Sequence, residues 1–289
     1  MYWVDFIVLL FFGMIAVICH FAMTPYDRFF VEQDPTLSYP YRVLPGDQAI
    51  PNVLIIILVI PVPLVILLIW VLVFRYCVKL KPGDRRIIDP VLVILAFLEA
   101  MAITIAITEF MKNFVGRKRP NFFAMCNYQG YRDALESNDL TAYLNVTVFG
   151  RPGNLSNCRE LTTSILQDSQ YSFPSGHSSS SFCALTFTAM YFMETLHHCF
   201  SKHQMTKGLV GICFIWAAAV IAGTRPRDYW HNFDDILSGS VIGLMVGAHI
   251  FYLNYKVDIT TSLPGTCCGG EEDPDAKDKE RQINPAPEL

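Results

Sequence analysis

The chain has 289 residues, of which 52% are hydrophobic and 17% are charged, and its formal net charge is −4. This composition is that of a membrane protein rather than of a soluble domain. No basic stripe alternates with aromatic residues on a soluble face, so we do not expect nucleic-acid binding.

Six segments have the roughly 20 mostly apolar residues that a helix needs to span a bilayer. In chain order they are Trp3–Met23, Asn52–Phe74, Ile87–Met111, Ser178–Leu196, Gly208–Gly223 and Ile236–Tyr255. A signal peptide is the alternative for the first segment, but it lacks a basic n-region and a small-residue cleavage site. The sequence therefore predicts an all-α, polytopic six-helix bundle over residues 1–258, followed by a disordered, acidic cytoplasmic tail over 259–289.

The distribution of Lys and Arg predicts the orientation of these spans. The connection 75–86 holds five basic residues and a single acid, Asp84, so the positive-inside rule places it in the cytoplasm. Both termini are then cytoplasmic, and connections 24–50, 112–177 and 224–235 face the lumen or the cell exterior. The basic residues that open the connection at 112 oppose this assignment, unless they are held in a binding site.

Features of the long outward connection support its placement in a secretory compartment. Asn145 and Asn154 each begin a glycosylation sequon. Cys126 and Cys158 lie in the same connection and would pair in an oxidising environment. Cys267 and Cys268, just past the last span, are candidates for palmitoylation.

The first polar cluster at a span end is Lys112-x6-Arg119-Pro120. If the helix continued to Arg119, both cations would lie on one face, because they are seven residues apart. Arg offers a planar fork of donors to phosphate oxygens and Lys offers a point charge. The alternative is a basic flank that anchors the helix end to lipid headgroups.

The second cluster is Pro174-Ser175-Gly176-His177, directly before the fourth span. Gly176 permits close approach of an anion to the backbone, and the following helix N-terminus adds free N–H groups and partial positive charge. His177 is placed to protonate a departing oxygen as a general acid. The alternative is a small polar helix cap with a histidine that has no function.

The third cluster is Thr224-Arg225-x5-His231-x3-Asp235. A helix that began here would bring the Asp235 carboxylate beside the His231 imidazole, because i and i+4 are neighbours. The carboxylate would accept from Nδ1–H and leave Nε2 free to attack phosphorus. Asp234 is a competing carboxylate, although its spacing also suits a solvent-facing neighbour.

Under the predicted orientation, all three clusters lie at the outward ends of spans and can converge in one pocket at the membrane surface. Two histidines, a carboxylate and several cations suit attack on a phosphate ester. The motifs resemble those of the lipid phosphate phosphatase family, or type 2 phosphatidic acid phosphatases. Thr224 is the one departure, because the family usually has serine there, and we expect a mild effect.

The resemblance implies a catalytic core similar to that of vanadate haloperoxidases and acid phosphatases. It implies that His231 is the nucleophile, that Asp235 orients it and that His177 protonates the leaving lipid alkoxide. It further implies phosphate binding by a set of five residues: Lys112, Arg119, Ser175, Gly176 and Arg225. No metal or other cofactor is expected, so activity would be independent of Mg²⁺. The expected partners are the bilayer and lipid phosphates such as phosphatidate, lysophosphatidate, diacylglycerol pyrophosphate and sphingoid phosphates. The sequence does not decide whether the protein forms a homo-oligomer.

Three alternatives remain from the sequence. A non-catalytic relative that binds lipids or signals would tend to lose the nucleophilic histidine or the Lys-Arg set, and a lipid phosphotransferase would carry different motifs. A transporter with an anion site would place its binding residues at mid-membrane. Only Glu99, Thr104, Thr108 and Glu109 suggest this, and helix contacts or support of the site explain them better. The sequence does not distinguish the plasma membrane from the endoplasmic reticulum or Golgi.

Overall fold

The computed structural model describes residues 2–42, 48–77, 87–160, 162–199 and 204–255. These ranges are almost entirely helical, which confirms the predicted all-α class. The predicted tail with Cys267 and Cys268, and most of the basic connection 75–86, lie outside the described residues.

The helices follow the predicted spans, with four short helices added in the connection 112–177. In chain order they are α1 (Trp3–Phe21), α2 (Asn52–Val59), α3 (Pro61–Cys77), α4 (Pro90–Val115), α5 (Phe122–Met125), α6 (Tyr131–Glu136), α7 (Thr141–Val146), α8 (Thr163–Asp168), α9 (Gly176–Cys199), α10 (Gln204–Arg227) and α11 (Phe233–Tyr255). Single 3₁₀ turns occur at Pro35–Leu37 and Leu155–Asn157.

Five helical segments within the described ranges are long and apolar enough to cross a membrane, so the chain is an integral membrane protein. They correspond to α1, the pair α2 and α3, α4, α10 and α11. The predicted fourth span, α9, falls short because its first turns carry the serines at 178–181. It packs against α4, α10 and α11, where polar side chains find partners inside the protein. The count of six spans therefore stays a prediction.

The second predicted span is interrupted, which corrects the expectation of one continuous helix over Asn52–Phe74. The helix α2 ends at Val59, and α3 begins at Pro61. Pro61 and Pro63 lack the N–H groups that a continuous helix would use, and their rings clash with the preceding turn.

Local signals at both ends define α4. The Asp89 side chain accepts from the backbone N–H groups of Val91 and Leu92, and Pro90 occupies the first helical position. At the other end Gly116 adopts φ +56°, and a Cβ there would lie 1.7 Å from the Tyr26 carbonyl oxygen. Only glycine fits this position, and the helix ends before Arg119. The condition under which Lys112 and Arg119 would share a helical face is therefore not met.

A stripe of glycines brings α11 against the backbone of α9. A Cβ at Gly243 would lie 2.1 Å from the Ser179 carbonyl oxygen, and one at Gly247 would lie 2.6 Å from that of Cys183. Without these side chains, the two helices approach closely enough for direct backbone contact. The contact fixes the start of α9 relative to the start of α11, where the two predicted catalytic histidines lie.

Residues 24–42 and 120–160 form a folded cap over the polar end of the bundle. Its core is largely aromatic and includes Phe30, Phe122, Phe123, Tyr128 and Tyr131. The predicted partners Cys126 and Cys158 are joined in a disulfide. Asn145 and Asn154 are both exposed on the cap, which leaves the predicted glycosylation sites accessible.

Breaking the disulfide is expected to destabilise the cap. Cys126 and Cys158 are 32 residues apart, and closing a loop of this length contributes about 3 to 4 kcal/mol through the unfolded state. We expect Cys126→Ser with Cys158→Ser to lower the Tm of the purified protein by several degrees. Cys213→Ser, at an exposed free cysteine on α10, is the control. An unchanged Tm in the double variant would contradict a stabilising role.

Candidate active site

One cavity of about 450 Å³ collects residues from all three sequence clusters. Its polar lining includes Lys112, Arg119, Gly176, His177 and His231. The remaining predicted site residues, Ser175, Arg225 and Asp235, are fully buried. The convergence predicted from the sequence is therefore present, because five of the predicted site residues line the cavity.

Apolar side chains form another part of the cavity wall. Four residues of the α2 region, Ile55, Ile56, Val59 and Ile60, face the cavity together with Ile105 of α4. A phosphate group and an alkyl chain would thus meet different walls of the same cavity. Sequence reasoning assigned α2 only to the membrane, because its apolar residues look the same whether they face lipid or a site.

The geometry around His231 defines which ring nitrogen is available. Its Nδ1 lies 2.7 Å from the backbone carbonyl oxygen of Ser172. A carbonyl can only accept, so Nδ1 carries the proton and Nε2 keeps its lone pair. Burial, the positive charge of Arg119 and the nearby His177 ring together hold the pKa of His231 well below its ordinary value. The ring is therefore neutral near pH 7, which is the form that can act as a nucleophile.

Asp235 does not contact His231 in the predicted way. Its Oδ2 is 3.9 Å from the His231 Nδ1, because α11 begins at Phe233 and His231 lies outside the helix. The carboxylate instead accepts from the Ser172 hydroxyl at 2.6 Å and from the Asn232 N–H at 2.8 Å. Asp235 therefore orients the imidazole indirectly, by holding Ser172, whose carbonyl binds the ring.

Ser172→Ala should test this indirect arrangement. The variant removes the hydroxyl that binds Asp235 and keeps the carbonyl that binds His231. A hydrogen bond to a charged group contributes more than a neutral one, and we expect kcat to fall about tenfold with little change in KM. Steady-state kinetics on a lipid phosphate would measure this, with Ser137→Ala in the cap as the control. An unchanged kcat would show that Ser172 needs no side chain to orient the ring.

Arg119 is held on several sides. Its Nε donates to the Asp168 carbonyl oxygen at 2.6 Å, and its Nη2 donates to the Asp168 carboxylate. The guanidinium stacks over the Trp230 ring at 4.9 Å, and its Nη1 is 3.4 Å from the His231 Nε2. Trp230 is buried against Arg119. A phosphate that Arg119 binds would lie next to the nucleophilic nitrogen.

Lys112 is positioned by a carboxylate on its own helix. Glu109 accepts from the Lys112 ammonium and lies 3.0 Å from the Nδ1 of His20 on α1. All three side chains line the cavity. Glu109 thus belongs to the site, which is one of the two uses expected for the polar residues of this span.

The second cluster forms the start of α9. The N–H of Ser175 donates to the carbonyl oxygen of Asp235 at 3.0 Å, which ties this turn to α11. Gly176 presents its backbone to the Lys112 ammonium, since a Cβ there would lie 3.2 Å from Nζ. His177 follows and lines the cavity with the free N–H groups of the first helical turn nearby. The arrangement suits an anion held between Lys112 and the helix N-terminus.

Arg225 is completely buried at the end of α10. Its Nε donates to the Thr224 hydroxyl at 3.0 Å, so threonine supplies the oxygen that serine would supply. Its guanidinium is close enough to His177 and Arg119 to interact electrostatically with both. Arg225 therefore adds positive charge to the site from behind the cavity wall.

The remaining cations of the first cluster are paired with carboxylates. Arg117 donates to Asp235 at 2.8 Å and also binds the more exposed Asp234. The buried Lys118 donates to Asp27 at 2.9 Å. Because these cations are paired within the protein, they do not count as free loop charge. The predicted orientation required the basic residues of this connection to be held in this way.

Comparison with known proteins agrees with this geometry. The PAP2 superfamily profile matches residues 93–258, which include every residue of the three clusters. The chain belongs to the PAP2 superfamily. This confirms the family resemblance found from the motifs.

The relatives within the PAP2 superfamily cover most of the chain. A PA-phosphatase related-family protein of Dictyostelium discoideum is 27% identical over 83% of this chain and 74% of its own length. Lipid phosphate phosphatase 2 of Arabidopsis thaliana is 27% identical over 87% and 76%, respectively. Diacylglycerol pyrophosphate phosphatase 1 of Saccharomyces cerevisiae is 28% identical over 83% and 75%. No solved structure gives a significant match. Together with the family, these relatives support phosphatase activity.

Proposed function

We propose that this PAP2 protein is a lipid phosphate phosphatase that hydrolyses phosphate monoesters of membrane lipids without a metal ion. The observation that carries the proposal is one cavity whose lining combines His177, His231, Lys112 and Arg119 with an isoleucine-rich group of apolar residues. A lipid phosphate has the same division between a charged headgroup and an apolar tail. The named activities of the relatives agree with this substrate class.

The first half-reaction transfers the phosphoryl group to the protein. Lys112, Arg119 and the first turn of α9 bind the phosphate oxygens and offset their charge, with Arg225 behind them. The Nε2 lone pair of His231 attacks phosphorus, and the bond from phosphorus to the lipid oxygen breaks. Without a bound anion, burial and the neighbouring charges of Arg225, Lys112 and Arg119 lower the pKa of His177 to about 3. A bound dianionic phosphate offsets these charges and raises that pKa, so the protonated ring donates its proton to the lipid oxygen and releases the lipid alcohol.

The second half-reaction returns the site to its starting state. The now neutral His177 accepts a proton from water, and the hydroxide attacks the phosphohistidine. The P–N bond breaks, inorganic phosphate leaves, and His231 regains its lone pair. With phosphatidate as substrate the products are diacylglycerol and phosphate. Lysophosphatidate, diacylglycerol pyrophosphate and sphingoid phosphates present the same terminal phosphate.

The location of the site completes the proposal. We place the cavity on the extracellular or lumenal side, in the plasma membrane or in the endoplasmic reticulum and Golgi. The disulfide between Cys126 and Cys158 and the exposed sequons at Asn145 and Asn154 support an oxidising compartment. A phosphate at this depth would be reached without removing the lipid tail from the bilayer.

Phosphate release by purified, chelator-treated protein tests the proposal. The protein in detergent with EDTA is expected to release phosphate from phosphatidate, lysophosphatidate, diacylglycerol pyrophosphate and sphingosine phosphate, with no gain on adding Mg²⁺. The cations that offset the phosphate charge come from the protein, so metal removal is expected to cost less than twofold in rate, or about 0.4 kcal/mol of barrier. Absence of release from all four lipids would overturn the proposal.

A further inference from the structure

Asp228 is a buried carboxylate that the three sequence clusters do not include. It follows α10 and is completely buried. Its two oxygens accept from the backbone N–H of Ala49, at 3.1 and 2.9 Å. Its Oδ2 is also 3.2 Å from the Nη2 of Arg225. One carboxylate therefore bridges a cation of the phosphate site and a distant part of the chain.

Arg225 makes a second link to the same part of the chain. Its Nη2 donates to the carbonyl oxygen of Ile50 at 2.8 Å. We call residues 48–50 the strap. The strap continues through Pro51 into α2, which supplies Ile55, Ile56 and Val59 to the apolar wall of the cavity. The phosphate end and the tail end of the cavity are thus joined through Asp228, Arg225 and the strap.

The electrostatics of this arrangement require the carboxylate. A guanidinium cannot lose its proton, and a buried charge is costly unless it is paired. Arg225 also has Arg119 as a nearby positive neighbour. Asp228 offsets this repulsion, because its carboxylate lies against the Nη2 of Arg225. Asp228 therefore helps to fix where the Arg225 charge sits.

We infer that Asp228 is a positioning residue that aims Arg225 at the substrate phosphate and, through the strap, sets the position of the apolar wall that receives the lipid tail. The inference rests on the proposed function and deepens it, because it couples headgroup binding to tail binding. It predicts that two nearby substitutions have different effects on lipid and soluble substrates.

The first variant is Asp228→Asn, which keeps the side-chain shape and removes the charge. We expect the dissociation constant of orthovanadate, a phosphate analogue, to rise about tenfold, a change of about 1.4 kcal/mol. The value of kcat/KM should fall by a similar factor for both phosphatidate and phenyl phosphate, because Arg225 serves the phosphate of each. Asp133→Asn, a partly exposed carboxylate in the cap, is the matched control and should leave all three quantities unchanged.

The second variant is Ala49→Pro, which removes the N–H that binds Asp228 and keeps the Asp228 carboxylate. The pair between Asp228 and Arg225 stays, so vanadate affinity and phenyl phosphate hydrolysis should be retained. The KM for phosphatidate should rise several-fold, because α2 is no longer held by the strap. If Asp228 contributed only to stability, each variant would change the kinetic constants for phosphatidate and phenyl phosphate by the same factor.

The outcomes separate this inference from the proposed function. Vanadate binding is measured by thermal shift, since a ligand of the folded state raises Tm, and it needs no turnover. A wild-type protein that binds vanadate but hydrolyses no lipid would refute the proposed function alone. An unchanged vanadate affinity in Asp228→Asn, or an unchanged phosphatidate KM in Ala49→Pro, would refute the role of Asp228. If Asp228→Asn fails to fold, Ala49→Pro decides the matter through the split between the two substrates.

Discussion

Replacing His231 by alanine is expected to lower kcat for lipid phosphates at least about 10⁴-fold, because the covalent route through the imidazole is lost. The ring is held by the Ser172 carbonyl and has its Nε2 near Arg119, so no other described side chain in the cavity occupies an equivalent position. Phosphate release in detergent, and labelling of the protein by ³²P-phosphatidate in an alkaline quench, which preserves phosphohistidine, would measure the loss. Both signals should disappear together.

The control for this variant is His249→Ala, since His249 is an exposed histidine farther along α11. It should retain wild-type release and labelling. A similar Tm for the two variants would show that the loss in His231→Ala is chemical. Acid-labile label that persists in His231→Ala would place the phosphoryl group on another residue and contradict the proposed nucleophile.

Replacing His177 by alanine is expected to slow turnover of lipid phosphates by about 10² to 10⁴-fold. The alkoxide of a lipid alcohol is a poor leaving group, and His177 is the histidine in the cavity that can protonate it. A nitrophenolate leaves without a proton. The variant should therefore lose much less in the first half-reaction with p-nitrophenyl phosphate than with phosphatidate.

The second half-reaction gives an additional signature. Because His177 also accepts the proton of the attacking water, dephosphorylation should be slow in the variant whatever the substrate. With p-nitrophenyl phosphate we expect a burst of nitrophenolate and accumulation of phosphorylated protein. Equal losses for the two substrates, with no burst, would show that His177 binds phosphate and transfers no proton.

The sequence predicted the site residues better than it predicted their contacts. Lys112, Arg119, Gly176, His177 and His231 meet in one cavity because the alternating direction of the spans brings their polar ends together. The spacing i, i+4 between His231 and Asp235 suggested direct contact, and that prediction was wrong. It assumed that the helix includes His231, whereas the Asp235 carboxylate accepts from the Asn232 N–H and the helix begins one residue later.

The sequence analysis missed two other features, one of which had a visible signal. Ser172 is an ordinary serine in a loop, and only the folded chain shows that its hydroxyl and carbonyl connect Asp235 to His231. The proline pair at 61 and 63 was a visible signal for the break between α2 and α3. The segment was nevertheless predicted as one span, because a membrane span is recognised by its composition over about 20 residues.

The direct backbone contact between α9 and α11 has a consequence for the membrane around the protein. A bilayer that is too thin or too thick makes helices tilt or slide. Such motion between α9 and α11 would drive Gly243 into the Ser179 carbonyl. The two helices that carry the histidines therefore keep their relative position in host lipids of different chain length, and turnover in reconstituted vesicles should vary little as the host acyl chains are lengthened.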